Sequence, residues 1–295
     1  MFSLAAVDMG SNAIRIHISH LLELENSYEF KPVEYLRIPL RLGDDVFTTG
    51  RISEEKAEKL AKLGQSLMIL FELYEVDHYL CCATSAMREA TNNKEIVNLV
   101  QKRSGFEIQV IEGELEAEWT SLGLKKYVGS GIWLHIDVGG GSTEINLYLD
   151  KQKKVSKSFK IGAVRMLRQE DTSLTKADML HWTREQLAQV GASGPVTSLG
   201  TGGSIVKIHH LAKLKEGNPI QVDQIKKCID FVASHTLEER IRVLKLNPDR
   251  ADVLVPSSEI YLSVMEAAGA TEMYVPKVGL TDGIFEVLRN QVLQI

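Results

Sequence analysis

Residues 134–148, Leu134-His-Ile-Asp-Val-Gly-Gly-Gly-Ser-Thr-Glu-Ile-Asn-Leu-Tyr148, constrain the fold more than any other stretch. Leu134, Ile136 and Val138 alternate with His135 and Asp137, and beyond the glycines Ile145 and Leu147 alternate with Asn146 and Tyr148. A period of two on both arms predicts strand, turn, strand. A dinucleotide-binding turn is excluded, because it needs a helix after its glycines and here the chain continues as Glu-Ile-Asn-Leu-Tyr-Leu. Gly139, Gly140 and Gly141 carry no Cβ, so they can take positive φ and let phosphate oxygens approach the main chain, while Ser142 and Thr143 add hydroxyl donors. Asp137 and Glu144 bracket this cradle. Carboxylates beside a phosphate call for a hard cation such as Mg²⁺ between the like charges, or for a carboxylate that handles a proton.

The start of the chain repeats the theme in Ala5-Ala-Val-Asp8-Met-Gly10-Ser-Asn-Ala-Ile-Arg15-Ile-His-Ile18. Setting Asp8 on Asp137 places Gly10 on Gly139, Ser11 and Asn12 on Gly140 and Gly141, Ala13 on Ser142, and Arg15 on Glu144. A whole half is repeated, which predicts two similar lobes facing one another across a cleft, each offering a loop to one phosphate group. The division falls at residues 1–125 and 126–295, with the terminal helix alternatively crossing back to the first lobe. Gly10, Ser11, Asn12 and Arg15 join the candidate phosphate ligands, and Asp8 joins Asp137 and Glu144 as a candidate metal ligand.

Further anion sites follow from local chemistry. A predicted strand over 76–83 ends in Thr84-Ser-Ala-Met-Arg88, where Thr84 and Ser85 can cap a helix and Arg88 can reach an anion bidentately. Pro195 to Leu199 reads as a strand entering Gly200-Thr-Gly-Gly-Ser204, whose Gly202 and Gly203 suit close backbone approach to a nucleotide or phosphate chain. Between the hairpins, Glu112, Glu114, Glu116 and Glu118 crowd the start of a helix. Helix-dipole preference accounts for several of them, and spacing does not say which one is a base.

The rest of the chain alternates short strands with helices, giving an α/β class. Strands are predicted at 34–42, 106–111 and 272–278. Helices are predicted after Ser53, after an Asn92 cap with Gly105 beyond the end, from 112 to about 126, from Thr175 to about 190, over 205–214, 222–234, 236–245 and 257–269, and at the end under a Thr281 cap. The lysines of Lys151-Gln-Lys-Lys-Val-Ser-Lys-Ser-Phe-Lys160 read as the solvated edge of a sheet. A net charge of −5 argues against nucleic acid as a partner, so a polyanion must be met by local donors. Three cysteines give no disulfide framework, and the histidines show no zinc spacing. Without a basic leader or a membrane-length apolar run, a cytoplasmic protein with no membrane association is expected. Oligomeric state is left open, a homodimer included.

Seven motifs stand in one order: Asp8-x-Gly-Ser-Asn-x-x-Arg15, Thr84-Ser-Ala-x-Arg-Glu-Ala90, Gly113-x-x-Glu-Ala117, Asp137-x-Gly-Gly-Gly-Ser-Thr-Glu144, Gly162-Ala-Val-Arg165, Gly200-Thr-Gly-Gly203 and Val278-Gly-Leu-x-x-Gly283. Together they resemble the exopolyphosphatase and guanosine pentaphosphate phosphohydrolase family of the actin-like ATPase superfamily. The resemblance implies two ribonuclease-H-like lobes with mixed sheets and helices on their faces. It also implies Mg²⁺-dependent hydrolysis of the terminal phosphoanhydride of inorganic polyphosphate or a guanosine polyphosphate. By the same resemblance the base is Glu116, with Asp137 and Glu144 supporting metal and water. The chain departs from the family pattern at Ala13, where Ser is usual, and at Glu112, where Ser is usual. A length near 295 residues leaves short chains and nucleotides as expected substrates beside long polymer. A non-catalytic sensor of these anions and an ATP-dependent kinase of the same superfamily are the alternatives.

Overall fold

A computed structural model describes residues 1–25, 27–168, 172–191 and 194–294. The chain opens with β1 (Phe2–Met9), β2 (Ile14–Glu23) and β3 (Tyr28–Ile38), followed by α1 (Leu42–Thr49), α2 (Glu54–Leu73), β4 (His78–Ala83), α3 (Ser85–Glu89), α4 (Asn93–Ser104), β5 (Gln109–Val110) and α5 (Gly113–Leu124). Next come β6 (Ile132–Val138), β7 (Thr143–Leu149), β8 (Gln152–Phe159), α6 (Ala163–Arg168), α7 (Ser173–Val190), β9 (Val196–Thr201) and α8 (Gly203–Leu211). The chain closes with β10 (Ile220–Gln221), α9 (Val222–Ala233), α10 (Leu237–Arg242), α11 (Pro248–Ala251), α12 (Leu254–Ala268), β11 (Glu272–Tyr274) and α13 (Leu280–Leu293). Among the described residues no helix is long and apolar enough to cross a membrane.

These elements form two compact units, residues 1–123 with 280–295, and residues 124–279. The first has a five-stranded sheet in the order β3-β2-β1-β4-β5; the second has six strands in the order β10-β11-β9-β6-β7-β8. In both, the opening strand pairs antiparallel with its hairpin partner and parallel with the strand on its other side. Taken in chain order, β6, β7, β8, β9 and β11 therefore repeat the arrangement of β1 to β5. The repeat seen in the two Asp-x-Gly hairpins extends to the whole sheet.

The terminal helix α13 belongs to the first unit, whereas the sequence division carried the second lobe to residue 295 and kept the crossing helix as its alternative. Leu280, Ile284, Phe285 and Leu288 pack with Leu4, Ala6, Leu21, Cys82 and Ile111, which explains the assignment by apolar burial. Where α13 meets α5, a Cβ on Gly283 would overlap the Trp119 carbonyl, so this motif glycine serves close helix contact. The second unit closes around Ile136, Ile145, Ile205, Ile260, Tyr261 and Met273, all at or near zero exposure.

Several local expectations need correction. The strand expected over 34–42 begins earlier and gives way to α1, whose entry residue Arg41 is left-handed (φ 52°) and makes no side-chain cap bond. Asn92 precedes α4 without capping it, because its amide pairs with both backbone groups of Ile52 at 3.0 and 2.9 Å. Thr84 likewise makes no cap bond. Helix α7 starts at Ser173, ahead of Thr175, and Thr281 lies inside α13, where it is buried. The strand expected over 106–111 is laddered only at Gln109–Val110, although Phe106, Ile108 and Ile111 all point inward. The lysine-rich β8 is an edge strand, and its exposed lysines keep that edge in solvent.

Candidate active site

Each unit places its glycine loop at the end of an interior strand. In the first, the Gly10 N–H donates to the Ala13 carbonyl at 3.2 Å; in the second, the Gly139 N–H donates to the Ser142 carbonyl at 2.9 Å. Gly139 keeps a φ outside the left-handed region, so positive φ is not what its position needs; a Cβ there would sit 3.2 Å from the Ser142 oxygen. The demand for glycine is closer still at Gly162, where a Cβ would lie 2.7 Å from both the Gly140 carbonyl carbon and the Gly141 nitrogen.

The loop carbonyls are turned to one side. Gly139 accepts from Ala163 N–H at 3.1 Å, Gly140 from Val164 and Arg165 N–H at 2.8 and 2.9 Å, and Gly141 from the Arg165 Nε at 2.7 Å. C=O and N–H of a trans peptide point in opposite directions. The N–H groups of Gly140, Gly141 and Ser142 are thereby aimed away from α6, as a nest of donors for an anion. The first loop is held in the same way: Ser11 and Asn12 carbonyls accept from Gly43 and Arg41 N–H at 2.8 and 3.0 Å, which aims the Asn12 and Ala13 N–H groups away from α1. Helices α1 and α6, with the buried Arg165, were missed as site-building elements in the sequence. The signal available was the Gly162-Ala-Val-Arg165 motif, which carried no assigned role.

The two hairpins differ in the charge beside the loop. Asp8 faces Arg15 across the β1–β2 pair and forms an ion pair with it at 2.5 Å. Asp137 faces Glu144 at the matching place in β6–β7. Opposed residues of an antiparallel pair share a face, so two carboxylates stand together where the first unit has an acid and a base. Glu144 is buried and accepts from the Ser158 hydroxyl at 2.7 Å. The Thr143 hydroxyl, wholly buried, donates to the Ile161 carbonyl at 2.6 Å, so its proton is committed within the fold.

In the first unit Ser11 and Ser85, both buried, share a hydroxyl hydrogen bond of 2.7 Å, joining the glycine loop to the turn after β4. Arg88 donates to the Ile111 carbonyl at 2.6 Å and lies 3.4 Å from Glu116. The Glu116 side chain keeps 13% of its surface in solvent. Burial pushes the Cys82 thiol well up, and the charges of Asp8 and Glu116 push it further. In the second unit the turn after β9 meets the Asp137 hairpin. Gly202 has φ 104°, and a Cβ on it would lie 3.1 Å from Asp137 Oδ1, while Gly203 faces the Arg250 guanidinium.

Among the described residues no group of three or more His, Cys, Asp and Glu side chains is arranged to hold a metal ion. Asp137 and Glu144 alone still suit Mg²⁺, which takes one or two protein carboxylates and completes its shell with water and substrate phosphate.

Two mixed sheets, the second sharing the strand order of the first, each flanked by helices and carrying a glycine hairpin loop, define an actin-like fold. An exopolyphosphatase from Cytophaga hutchinsonii superposes with a TM-score of 0.82 at 20% identity, covering 99% of this chain and 98% of that one. A Ppx/GppA family member from Aquifex aeolicus superposes with a TM-score of 0.75 at 24% identity, covering 98% of each chain. In sequence, Exopolyphosphatase 1 of Mycobacterium tuberculosis is 23% identical over 303 residues, spanning 95% of this chain and 86% of its own length. The chain belongs to the Ppx/GppA phosphatase family, whose pattern matches residues 23–290.

Proposed function

We propose that this phosphoanhydride hydrolase removes the terminal phosphate of inorganic polyphosphate, or of guanosine pentaphosphate, by attack of a water that Glu116 deprotonates. The observation that carries the reading is the pair of loops whose N–H groups are aimed outward by α1 and α6, together with a solvent-reached carboxylate at the start of α5. Phosphoryl transfer asks the protein mainly for positioning and charge neutralisation.

The water oxygen bonds to the terminal phosphorus as the bridging P–O bond breaks, and Glu116 takes the water proton. The N–H groups of Gly140, Gly141 and Ser142 receive the phosphoryl oxygens, and those of Asn12 and Ala13 offer an anion the same kind of donors on their own unit. Arg88 holds Glu116 in place through its contact with the Ile111 carbonyl, and Arg15 keeps Asp8 neutralised so that the first loop accepts an anion. Asp137 and Glu144 would hold Mg²⁺, which when bound neutralises phosphate charge. The named relatives, two of them exopolyphosphatases, support polyphosphate as the substrate class.

The test is phosphate release with Mg²⁺ from short polyphosphate, long polyphosphate and guanosine pentaphosphate. Glu116→Gln is expected to lower kcat by about 10²–10⁴-fold with the melting curve unchanged. Undiminished turnover would remove Glu116 from the mechanism, and the ratio of kcat/KM values identifies the substrate.

A further inference from the structure

We infer that Tyr261 is a positioning residue which, with His135 and Thr201, fixes Asp137 against the Gly202 turn. Tyr261 on α12 has no exposed surface, yet its hydroxyl bonds at both ends of a short path. It accepts from the Val138 N–H at 3.1 Å and donates to the Thr201 carbonyl. Val138 is the residue after Asp137, and Thr201 is the residue before Gly202. One point collects the result: the absent Cβ of Gly202 would sit 2.9 Å from the Tyr261 oxygen, 3.1 Å from Asp137 Oδ1 and 3.2 Å from the Val138 carbonyl. With φ 104°, Gly202 can hold that approach where other residues are strained.

A second arm ties the same threonine from the sheet. His135 Nε2 lies 2.8 Å from Thr201 Oγ1, and its Nδ1 lies 2.9 Å from the Asn146 amide nitrogen. With the Asn146 N–H donating, Nδ1 must accept, so Nε2 carries the proton and donates to the Thr201 hydroxyl. Strands β6, β7 and β9 and helix α12 are thus joined by one polar chain beside the apolar core of the second unit. Buried polar groups are costly unless bonded, and bonded ones specify a single geometry; here the Tyr261 hydroxyl and both His135 nitrogens are bonded, while the buried Asn146 Oδ1 has no partner among the described residues. This network ends on the two backbone positions that flank Asp137 and Gly202, which is where an error of about 1 Å costs about 10²-fold in rate.

The inference rests on the phosphohydrolase reading of Asp137, and its test separates the two. Tyr261→Phe and Thr201→Val each remove one polar atom at nearly constant shape; Thr201→Ser keeps the hydroxyl. Phosphate release from polyphosphate is expected to show kcat lowered about 10- to 100-fold in the first two, with KM within about twofold, and to return in Thr201→Ser. Amide exchange of residues 137–141 and 201–205 is expected to rise in Tyr261→Phe while the β1–β2 hairpin stays unchanged. Wild-type kcat in both Tyr261→Phe and Thr201→Val, or equal losses in Thr201→Ser and Thr201→Val, would overturn the inference. Should Tyr261→Phe fail to fold, the two threonine variants decide. A wild-type enzyme that releases no phosphate defeats the phosphohydrolase reading alone, and unaltered exchange in Tyr261→Phe then defeats the clamp.

Discussion

Replacing Gly162 by Ala tests whether α6 aims the second loop. The new methyl would meet the Gly140 carbonyl carbon and Gly141 nitrogen at 2.7 Å and the Gly139 oxygen at 2.8 Å, all of them backbone. Ordinary contact begins near 3.4 Å, so the loop must retreat by several tenths of an ångström and no side chain can rotate aside in its place. That retreat pulls on the four bonds by which Ala163, Val164 and Arg165 hold the loop carbonyls. Overpacking of this kind costs about 1–3 kcal/mol, which for a unit of this size lowers Tm by about 2–12 °C. The effect on catalysis is larger, because the donors of Gly140, Gly141 and Ser142 turn with their carbonyls: kcat/KM for polyphosphate is expected to fall about 10²-fold. Gly194→Ala is the control, since a Cβ there has nothing within 4 Å. Phosphate release and thermal melts on both variants decide the matter. Wild-type kcat/KM in Gly162→Ala, or an equal loss in Gly194→Ala, refutes the reasoning.

Burial holds His135 down to about 3, and burial with the Arg15 charge holds His17 down to about 4, against the ordinary 6.5. Both folded values lie below the unfolded one, so acid favours the unfolded chain: their contribution is complete above about pH 6.5 and is lost as pH falls toward 3. Urea unfolding between pH 7 and 4 should show stability falling by up to about 1.4 kcal/mol per pH unit for each histidine, with a shallower slope in His135→Asn; an identical slope would exclude His135 as a source. Gly283→Ala drives a methyl into the Trp119 carbonyl, and a destabilisation of about 1–3 kcal/mol by chemical denaturation is expected, whereas an unchanged midpoint would mean that α5 and α13 separate without cost.

The two Asp-x-Gly hairpins were legible because alternation and glycine turns are local signals. Their consequence for the sheets was legible only in part, since the pairing of β1 with β4 or β6 with β9 is a long-range event that no window of sequence displays. Helices α1 and α6 escaped for a physical reason. Among the described residues they span 8 and 6 residues, too short for a clear apolar stripe, and α1 starts from a left-handed Arg41 in place of a capping side chain. Asn92 shows the opposite error: a good capping residue whose amide is recruited by Ile52 from 40 positions away. In the site, the four clustered glutamates could not be ranked by spacing, and Glu116 emerged from the family resemblance alone. Thr143 and Ser142 look alike in sequence, yet the Ile161 carbonyl claims the Thr143 proton.

The return of α13 to the first unit gives the chain a particular order of assembly. A ribosome delivers β1 and β2 well before Leu280, Ile284, Phe285 and Leu288, which complete the core beneath them. Residues 124–279 are continuous and can condense as soon as they are made, whereas the earlier-made unit must wait with Leu4, Ala6 and Leu21 uncovered. The Gly10 loop, made before the Gly139 loop, is therefore the later of the two to gain a finished foundation.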